Sequence, residues 1–257
     1  MKLLLHACCG PCSLEPTRLL KAAGHDITIY YANSNIHPAE EYEHRLATLR
    51  TWAADAGFEV LEGPYDPATW EACAGRIGDA AIAEVEGARA EAGAESECAS
   101  EGASPRAAVL SVDPARREAR CRACYRLRLE ETARVAAEQG FEGIGTTLSV
   151  SPYQYTQVIR EEVERAATQA GVVPVFEDFR PYYDEATRES RELGMYRQNF
   201  CGCRISDLEA AAERAERKEQ RAAEEAARAA HKAERAAYDK KQARKRAILK
   251  ALREQGK

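Results

Sequence analysis

The first residues of the chain, KLLLHACCGPCS at positions 2–13, read as a buried strand that runs directly into a helix. Three consecutive leucines favour a short strand ending at Cys8, and Pro11 suits the first turn of a helix. A strand followed at once by a helix is how a parallel α/β sheet begins. The same stretch holds three thiols within five residues, Cys8, Cys9 and Cys12, so the strand end is also the first candidate site.

The alternation continues along the chain. Apolar and β-branched runs predict further strands, and apolar residues at three- and four-residue spacing predict the helices between them. The predicted strands are Leu3–Ala7, Asp26–Asn33, Phe58–Gly63, Gly143–Val150 and Val172–Phe179. The predicted helices run from Pro11 to Gly24, from Pro38 to Gly57, over Ala123–Gln139 and over Gln154–Ala170. Short connections between alternating strands and helices predict an α/β fold, a parallel sheet with helices on both faces.

Two segments lack this pattern. Residues 73–118 are rich in Ala, Glu, Gly and Ser and have few residues to bury, which predicts a mobile, low-complexity insertion. Residues 207–257 carry charges of both signs on every helical face and have almost no large apolar residue before Ile248, which predicts a charged tail, helical or disordered. The expected organisation is one α/β domain over residues 1–206, interrupted by the insertion and followed by the tail.

Composition narrows the class of protein. No run of eighteen apolar residues is present and the amino terminus lacks the features of a signal peptide, so we expect a cytoplasmic protein with no membrane partner. Nine cysteines in a reducing compartment indicate metal binding or catalysis rather than structural disulfides. The net charge of −5 divides into −10 for residues 1–206 and +5 for residues 207–257, which hold fifteen Lys and Arg and ten Asp and Glu. Electrostatic contact with nucleic acid would then be local or made by the tail.

Seven of the nine cysteines fall into three groups. Cys73 and Cys98 lie alone, and a lone cysteine is usually a small apolar residue. The groups are Cys8, Cys9 and Cys12; Cys121 and Cys124, in the sequence CRAC; and Cys201 and Cys203, in the sequence CGC. The first group follows the first strand, where open α/β sheets bind ligands. The second group is expected at the start of a helix, where the helix dipole favours a thiolate.

Three cofactor schemes account for these thiols. Zinc would take two thiolates from each Cys-x-x-Cys pair, and a thioredoxin-like exchanger would use one pair. An iron–sulfur cluster would take four thiolates and leave the CGC pair free. A Cys-x-Cys disulfide closes a small, strained ring that is easily reduced, so Cys201 and Cys203 are candidates for a redox-active pair. The residues alone leave the choice of cofactor open.

Polar residues follow two of the other predicted strands. Residues 33–38, NSNIHP, and residues 146–152, TTLSVSP, present amides and hydroxyls where a parallel sheet binds ligands, although turn and helix-cap chemistry explains them equally well. His37 is either a proton donor or a cap of its helix. Residues 196–200, YRQNF, lead into the CGC sequence and could contact phosphate or bases.

Five stretches of the chain, taken in order, resemble the epoxyqueuosine reductases of the QueH type. They are LLHACCGPCS at 4–13, YANSNIHPAEEYEHRL at 31–46, CRACYRLRLEETA at 121–133, TTLSVSP at 146–152 and YRQNFCGC at 196–203. The resemblance covers residues 2–70 and 119–205, so the predicted insertion and tail fall outside it. It implies a fold like that of the HUP group of nucleotide-binding α/β domains, and it makes residues 1–206 the catalytic part.

The resemblance also implies a cofactor and its ligands. It implies a [4Fe–4S] cluster, and the residues that match its ligands are Cys8, Cys9, Cys121 and Cys124. Cys201 and Cys203 match a redox-active pair, which alternatively holds an additional iron near the cluster. Cys12 matches a family cysteine whose role the sequence leaves open.

The implied reaction is the conversion of epoxyqueuosine to queuosine at the wobble position of tRNA, by two-electron reductive deoxygenation of the epoxide. The partners are then tRNA carrying epoxyqueuosine in its anticodon and an unidentified electron donor. The candidate proton donors are His37, Tyr153 and Tyr196.

Two other functions stay open. A zinc-stabilised tRNA-binding module would use the thiols without redox chemistry. A thiol-dependent tRNA sulfurtransferase would share the α/β fold, but it would need a phosphate-binding loop of the SGGxDS type where this chain has CCGPCS. The basic end of the tail, from Lys240 to Lys250, could help to hold tRNA or could simply keep the chain in solution.

Overall fold

Five parallel strands form one sheet at the centre of the protein. The computed structural model describes residues 1–94 and 105–255. The strands are β1 (Lys2–His6), β2 (Asp26–Tyr31), β3 (Glu59–Glu62), β4 (Gly143–Thr146) and β5 (Val173–Pro174). They lie in the order β3-β2-β1-β4-β5, and each neighbouring pair is parallel. The predicted α/β class is confirmed, whereas the likeness to the HUP group stays a prediction.

Helices connect the strands and cover the sheet. They are α1 (Leu14–Ala22), α2 (Ala39–Ala56), α3 (Pro67–Trp70), α4 (Arg76–Ala94), α5 (Pro105–Leu110), α6 (Pro114–Gln139), α7 (Thr156–Ala170), α8 (Tyr183–Glu192) and α9 (Arg204–Gln255). The predicted stop of α2 at Gly57 is confirmed, since that glycine takes the left-handed conformation, with φ of 74°, that terminates helices.

The sheet is buried on both faces because its strands are apolar on both sides. Leu3 and Leu5 of β1 point into one apolar cluster, which α1, α2 and α8 complete. Leu4 points to the opposite face, where α6 and α7 supply Leu129 and Ile159. All three leucines are fully buried, and burying such a side chain stabilises the fold by about 1.5–3 kcal/mol. The strand end that carries Cys8 is therefore held rigidly from both faces.

Two predicted strands are shorter than expected. β4 ends at Thr146, and residues 148–150 form a 3₁₀ turn in place of further strand. β5 is reduced to Val173–Pro174, at the edge of the sheet, where Val173 N and Val175 N donate to Glu142 O and Ile144 O. Both strands end early on the carboxyl side, so the residues that follow them are free to build loops there.

Residues 73–118, predicted as a mobile insertion, are mostly helical where they are described. α4 packs closely on its neighbours, since a Cβ on Gly78 would lie 2.2 Å from Ile205 Cδ1 and 2.9 Å from Arg120 Cδ. α6 begins at Pro114, nine residues before the predicted start, because Asp113 caps it by accepting from Ala115 N at 2.7 Å. The mobility of the segment stays a prediction, and Cys98 lies outside the described residues.

The chain divides into two compact units. Met1–Ala210 form the first, and Ala211–Lys257, helical as far as Gln255, form the second. The predicted charged helical tail is thus present, and the side chains of residues 216–247 are exposed apart from that of Gln242. Among the described residues, no helix combines the length and the apolar character needed to cross a membrane.

Candidate active site

The strand order reverses beside β1, since β2 and β3 lie on one side of it and β4 and β5 on the other. Open parallel sheets bind ligands beyond the carboxyl ends of the strands at such a reversal. The ends of β1 and β4 are joined there, because His6 Nδ1 lies 3.0 Å from Thr146 Oγ1. Cys8 and Cys9, which follow His6, therefore occupy the position where this fold places a ligand.

The first thiol group is compact. The sulfur atoms of Cys8, Cys9 and Cys12 all lie within 4.8 Å of one another, close enough to bind one metal centre. Hydrogen bonds from Cys12 and Cys9 hold the pKa of Cys8 well below its usual range. Gln198 Nε2 reaches Cys9 Sγ at 2.9 Å from the loop that leads into the CGC sequence. Cys12, whose role the sequence left open, thus lies beside the two predicted cluster ligands.

The second thiol group lies on α6, but not at the start of the helix as predicted. Because α6 begins at Pro114, Cys121 and Cys124 lie beyond its first turn, where the helix dipole no longer favours a thiolate. Burial instead raises the pKa of Cys121 to about 12 and also raises the pKa of Cys124. Binding a metal would therefore have to displace protons from both thiols.

The third thiol group stands just before α9. Cys201 Sγ lies 3.9 Å from Cys203 Sγ and 3.1 Å from Ser206 Oγ. Cys203 Sγ accepts a hydrogen bond from Ser206 N at 3.3 Å, so it caps the start of the helix. The hydrogen bond from Cys203, with further help from Ser206, lowers the pKa of Cys201 to about 5. The pair therefore combines one reactive thiolate with one protonated thiol.

Gly202 makes this conformation of the CGC loop possible. Its φ of 126° is a conformation that L side chains rarely adopt. A Cβ there would also lie 2.9 Å from Ile36 Cγ1 and 3.1 Å from both Arg45 Nη1 and Asn35 Nδ2. The loop is thus pressed against the residues that follow β2.

A buried arginine fastens the CGC loop to α2. Arg45 is 1% exposed, and its guanidinium donates to the main-chain oxygens of Cys201 at 3.0 Å and Phe200 at 3.3 Å. The same guanidinium donates from Nε to Glu41 Oε1 at 2.7 Å, and the second oxygen of Glu41 accepts from the Tyr196 hydroxyl. The position of Cys201 is therefore set by a buried ion pair.

A second buried arginine contacts the second thiol group. Arg128 is 4% exposed, and it approaches Cys124 Sγ at 3.8 Å and His6 Nε2 at 3.4 Å. Its charge also acts on Cys8 and Cys201. Burial, and then the charge of Arg128, lowers the pKa of His6 to about 3, so His6 is a neutral acceptor. Among the residues whose side chains the structure describes, no carboxylate pairs with Arg128, and its Nη2 has no hydrogen-bond partner.

The three candidate proton donors lie in different surroundings. His37 Nε2 lies 3.8 Å from Glu71 Oε1, and His37 N donates to Gly202 O at 2.8 Å, which places this residue beside the CGC loop. His37 Nε2 has no hydrogen-bond partner among the described residues, and the cap residue of α2 is Pro38, so the expected capping by the His37 ring is not seen there. The Tyr196 hydroxyl is bound to Glu41. Tyr153 is 82% exposed.

Sequence reasoning missed the residues that organise the thiols, namely His6, Arg45 and Arg128. Arg128 was detectable, since it follows Cys124 by four residues and so shares its helical face. His6 stands inside the opening stretch of sequence. Nothing local singles out Arg45, because its contacts reach a loop 155 residues away in sequence.

The fold and the site define a class of protein: an α/β enzyme with thiols gathered around the carboxyl edge of a parallel sheet. The family model described as epoxyqueuosine reductase QueH matches residues 3–91 and 103–209. The chain therefore belongs to the QueH family and is an oxidoreductase of queuosine biosynthesis. The match includes most of residues 73–118, so the expectation that this segment departs from the family is wrong.

Curated relatives carry the same name, epoxyqueuosine reductase QueH. The protein of Dehalococcoides mccartyi is 30% identical over 209 residues, which cover 81% of this chain and 93% of the relative. The protein of Thermotoga maritima is 30% identical over 215 residues, which cover 83% of this chain and 94% of the relative. The Staphylococcus aureus protein is 28% identical over 211 residues, or 79% of this chain and 74% of the relative.

Proposed function

We propose that the chain reduces epoxyqueuosine in tRNA to queuosine, with Cys201 and Cys203 as a redox-active pair beside an iron–sulfur cluster. The proposed ligands of the [4Fe–4S] cluster are Cys8, Cys9, Cys121 and Cys124. The observation that carries the proposal is the buried guanidinium of Arg128, which lies 3.8 Å from Cys124 Sγ and whose charge also acts on Cys8 and Cys201. Family membership supports the substrate, and the arrangement of the thiols supports the chemistry.

The residues present fit an anionic, thiolate-bound group. A buried charge is costly unless it is paired, and Arg128 has no carboxylate partner among the described residues. A cluster bound to four thiolates carries negative charge and would satisfy both the charge of Arg128 and its free Nη2. When bound, such a cluster supplies electrons one at a time.

The CGC pair matches the stoichiometry of the reaction. Removing an epoxide oxygen as water, with formation of the alkene, consumes two electrons and two protons. Oxidation of the two thiols to a disulfide releases two electrons and two protons. The reaction of the dithiol with the epoxide, which gives the disulfide, the alkene and water, is therefore balanced. The 3.9 Å between the sulfurs of Cys201 and Cys203 is short enough for a small loop movement to join them. A reductant then returns the pair to the dithiol.

Residues around the pair have separate roles in this proposal. Arg45 holds the main chain of Cys201 in place, and Ser206 lies against its sulfur. His37 is the best supported proton donor, because it sits beside Gly202. Tyr196 already donates its hydroxyl proton to Glu41, which favours a positioning role for this residue.

The test is the anaerobically purified wild-type protein mixed with tRNA that carries epoxyqueuosine and with dithionite. We expect a brown protein with about four irons per chain. Mass spectrometry of the digested tRNA should show queuosine, which has one oxygen fewer. A colourless protein with bound zinc and no product would overturn the proposal and favour the zinc-stabilised tRNA-binding module.

A further inference from the structure

One aromatic residue near the site faces solvent. Tyr153 is 82% exposed, more than any other large apolar side chain that the structure describes. It lies in the segment after β4, on the carboxyl side of the sheet where the thiols gather. Single exposed aromatic residues are common, so exposure alone carries no function. Two further features of this ring indicate a ligand: its position in the fold and the contacts that hold it in place.

The ring of Tyr153 is held in place. Its main-chain N donates to Ser151 Oγ at 3.3 Å, and Pro152 restricts the backbone before it. The ring meets Tyr183 edge to face, with centroids 6.3 Å apart and planes at 83°. One such contact covers at most one face of the ring, and because Tyr153 is 82% exposed an aromatic face stays open to solvent.

The segment that carries Tyr153 is tied to the turn of α6 that holds the second thiol group. The hydroxyl of Tyr125, the residue after Cys124, donates to Gln154 Oε1 at 2.5 Å. The same hydroxyl accepts from Tyr155 N at 3.4 Å. Tyr153 therefore lies in a segment that is hydrogen-bonded to the residue after Cys124, one of the proposed cluster ligands, and it is not itself one of them.

We propose that Tyr153 is a stacking platform for an unpaired base of the tRNA anticodon loop. This rests on the proposed function, because the modified nucleoside lies in a single-stranded loop whose neighbouring bases are open to stacking. An open aromatic face binds any base, since every base has a π-face, and the interaction is lost when the ring is removed. In this proposal the ring of Tyr153 contacts the base and the hydroxyl takes no part. Base stacking therefore replaces the expectation that Tyr153 donates a proton.

The test is the binding of a fluorescently labelled anticodon stem–loop RNA to the full chain, followed by anisotropy. Tyr153→Ala should bind about 5- to 150-fold more weakly than the wild type. Tyr153→Phe should bind like the wild type, because it keeps the ring. Val173→Ala is the control, since Val173 is also exposed, at 47%, but pairs with Gly143 at the start of β4, at the amino end of the sheet, and it should bind like the wild type.

Two results would overturn the inference: unchanged binding by Tyr153→Ala, or binding by Tyr153→Phe as weak as that of Tyr153→Ala. A blunt-ended RNA duplex without a loop should not distinguish the wild type from Tyr153→Ala, and weaker binding of the duplex by the variant would contradict stacking. The assay does not depend on turnover. If the chain has no reductase activity but its RNA binding still requires the Tyr153 ring, the proposed function is overturned and this inference stands.

Discussion

The first and third thiol groups are built on opposite kinds of support. Cys8, Cys9 and Cys12 follow a strand that is buried on both faces, and their sulfurs lie within 4.8 Å of one another. Cys201 and Cys203 lie on a loop that no strand supports, and buried Arg45 holds that loop to α2. A rigid strand end suits metal ligands, which must keep a fixed geometry. A loop held by hydrogen bonds of side chains and main chain, without a strand, suits a pair that changes between dithiol and disulfide.

The largest effect should come from releasing the CGC loop. Arg45→Met leaves Glu41 buried without its partner, and breaking a buried ion pair in this way lowers the free energy of unfolding by about 3–5 kcal/mol. Urea denaturation measures the decrease. Arg45→Met combined with Glu41→Leu removes both charges and should recover part of the stability. A single variant as stable as the wild type would show that the loop does not depend on Arg45.

The next largest effect is expected on the rate at which the Cys201 thiol is alkylated. Its pKa of about 5 predicts that alkylation by iodoacetamide in the metal-free protein is independent of pH above about 6 and slows as the pH falls below 5. An ordinary thiol with a pKa of about 8.5 would be roughly 3% thiolate at pH 7. Cys203→Ala removes the thiol whose hydrogen bond is the main cause of the shift, so its Cys201 should regain a steep dependence around pH 8. Peptide mass spectrometry identifies the alkylated residue.

A variant of Arg128 tests the proposed metal-binding role of the first and second thiol groups. The positive charge of Arg128 would stabilise the reduced form of the proposed cluster, which carries one more negative charge than the oxidised form. Arg128→Met should therefore lower the reduction potential, and a tenfold change in the ratio of the two forms corresponds to about 59 mV for one electron. The control is Arg126→Met on the same helix, whose guanidinium is paired with Glu162 at 2.9 Å. Equal shifts in both variants would mean that overall charge, not position, sets the potential.

The smallest effect concerns the second unit. The variant replaces the basic residues near its end by Gln, namely Lys240, Lys241, Arg244, Lys245 and Arg246. We expect tRNA binding by this variant to depend less on salt. The slope of log K against log salt concentration should fall by about 0.7–0.9 for each phosphate that the variant no longer neutralises. The matched control replaces five basic residues from the charge-balanced part of the tail, namely Arg217, Lys218, Arg221, Arg228 and Lys232. An unchanged slope in the first variant would mean that this stretch does not touch tRNA.

The sequence was sufficient for the parts of the molecule that are encoded locally. Strand β1 and the stop of α2 at Gly57 could be predicted because a short apolar run and a glycine at a helix end are signals carried by neighbouring residues. The start of α6 was misplaced because its cap, Asp113, lies in a stretch with little apolar pattern. Arg45 and Arg128 escaped prediction because their roles come from long-range contacts, to a loop and to a strand end respectively.

The central claim is that the first and second thiol groups hold the metal and the third transfers the electron pair. Its most direct test measures iron content and queuosine formation in Cys201→Ser and Cys9→Ser, both purified anaerobically beside the wild type. We predict that Cys201→Ser keeps its iron and visible absorption but forms no queuosine, while Cys9→Ser loses both iron and activity. Full turnover by Cys201→Ser, or loss of its iron together with that of Cys9→Ser, would contradict this division of roles.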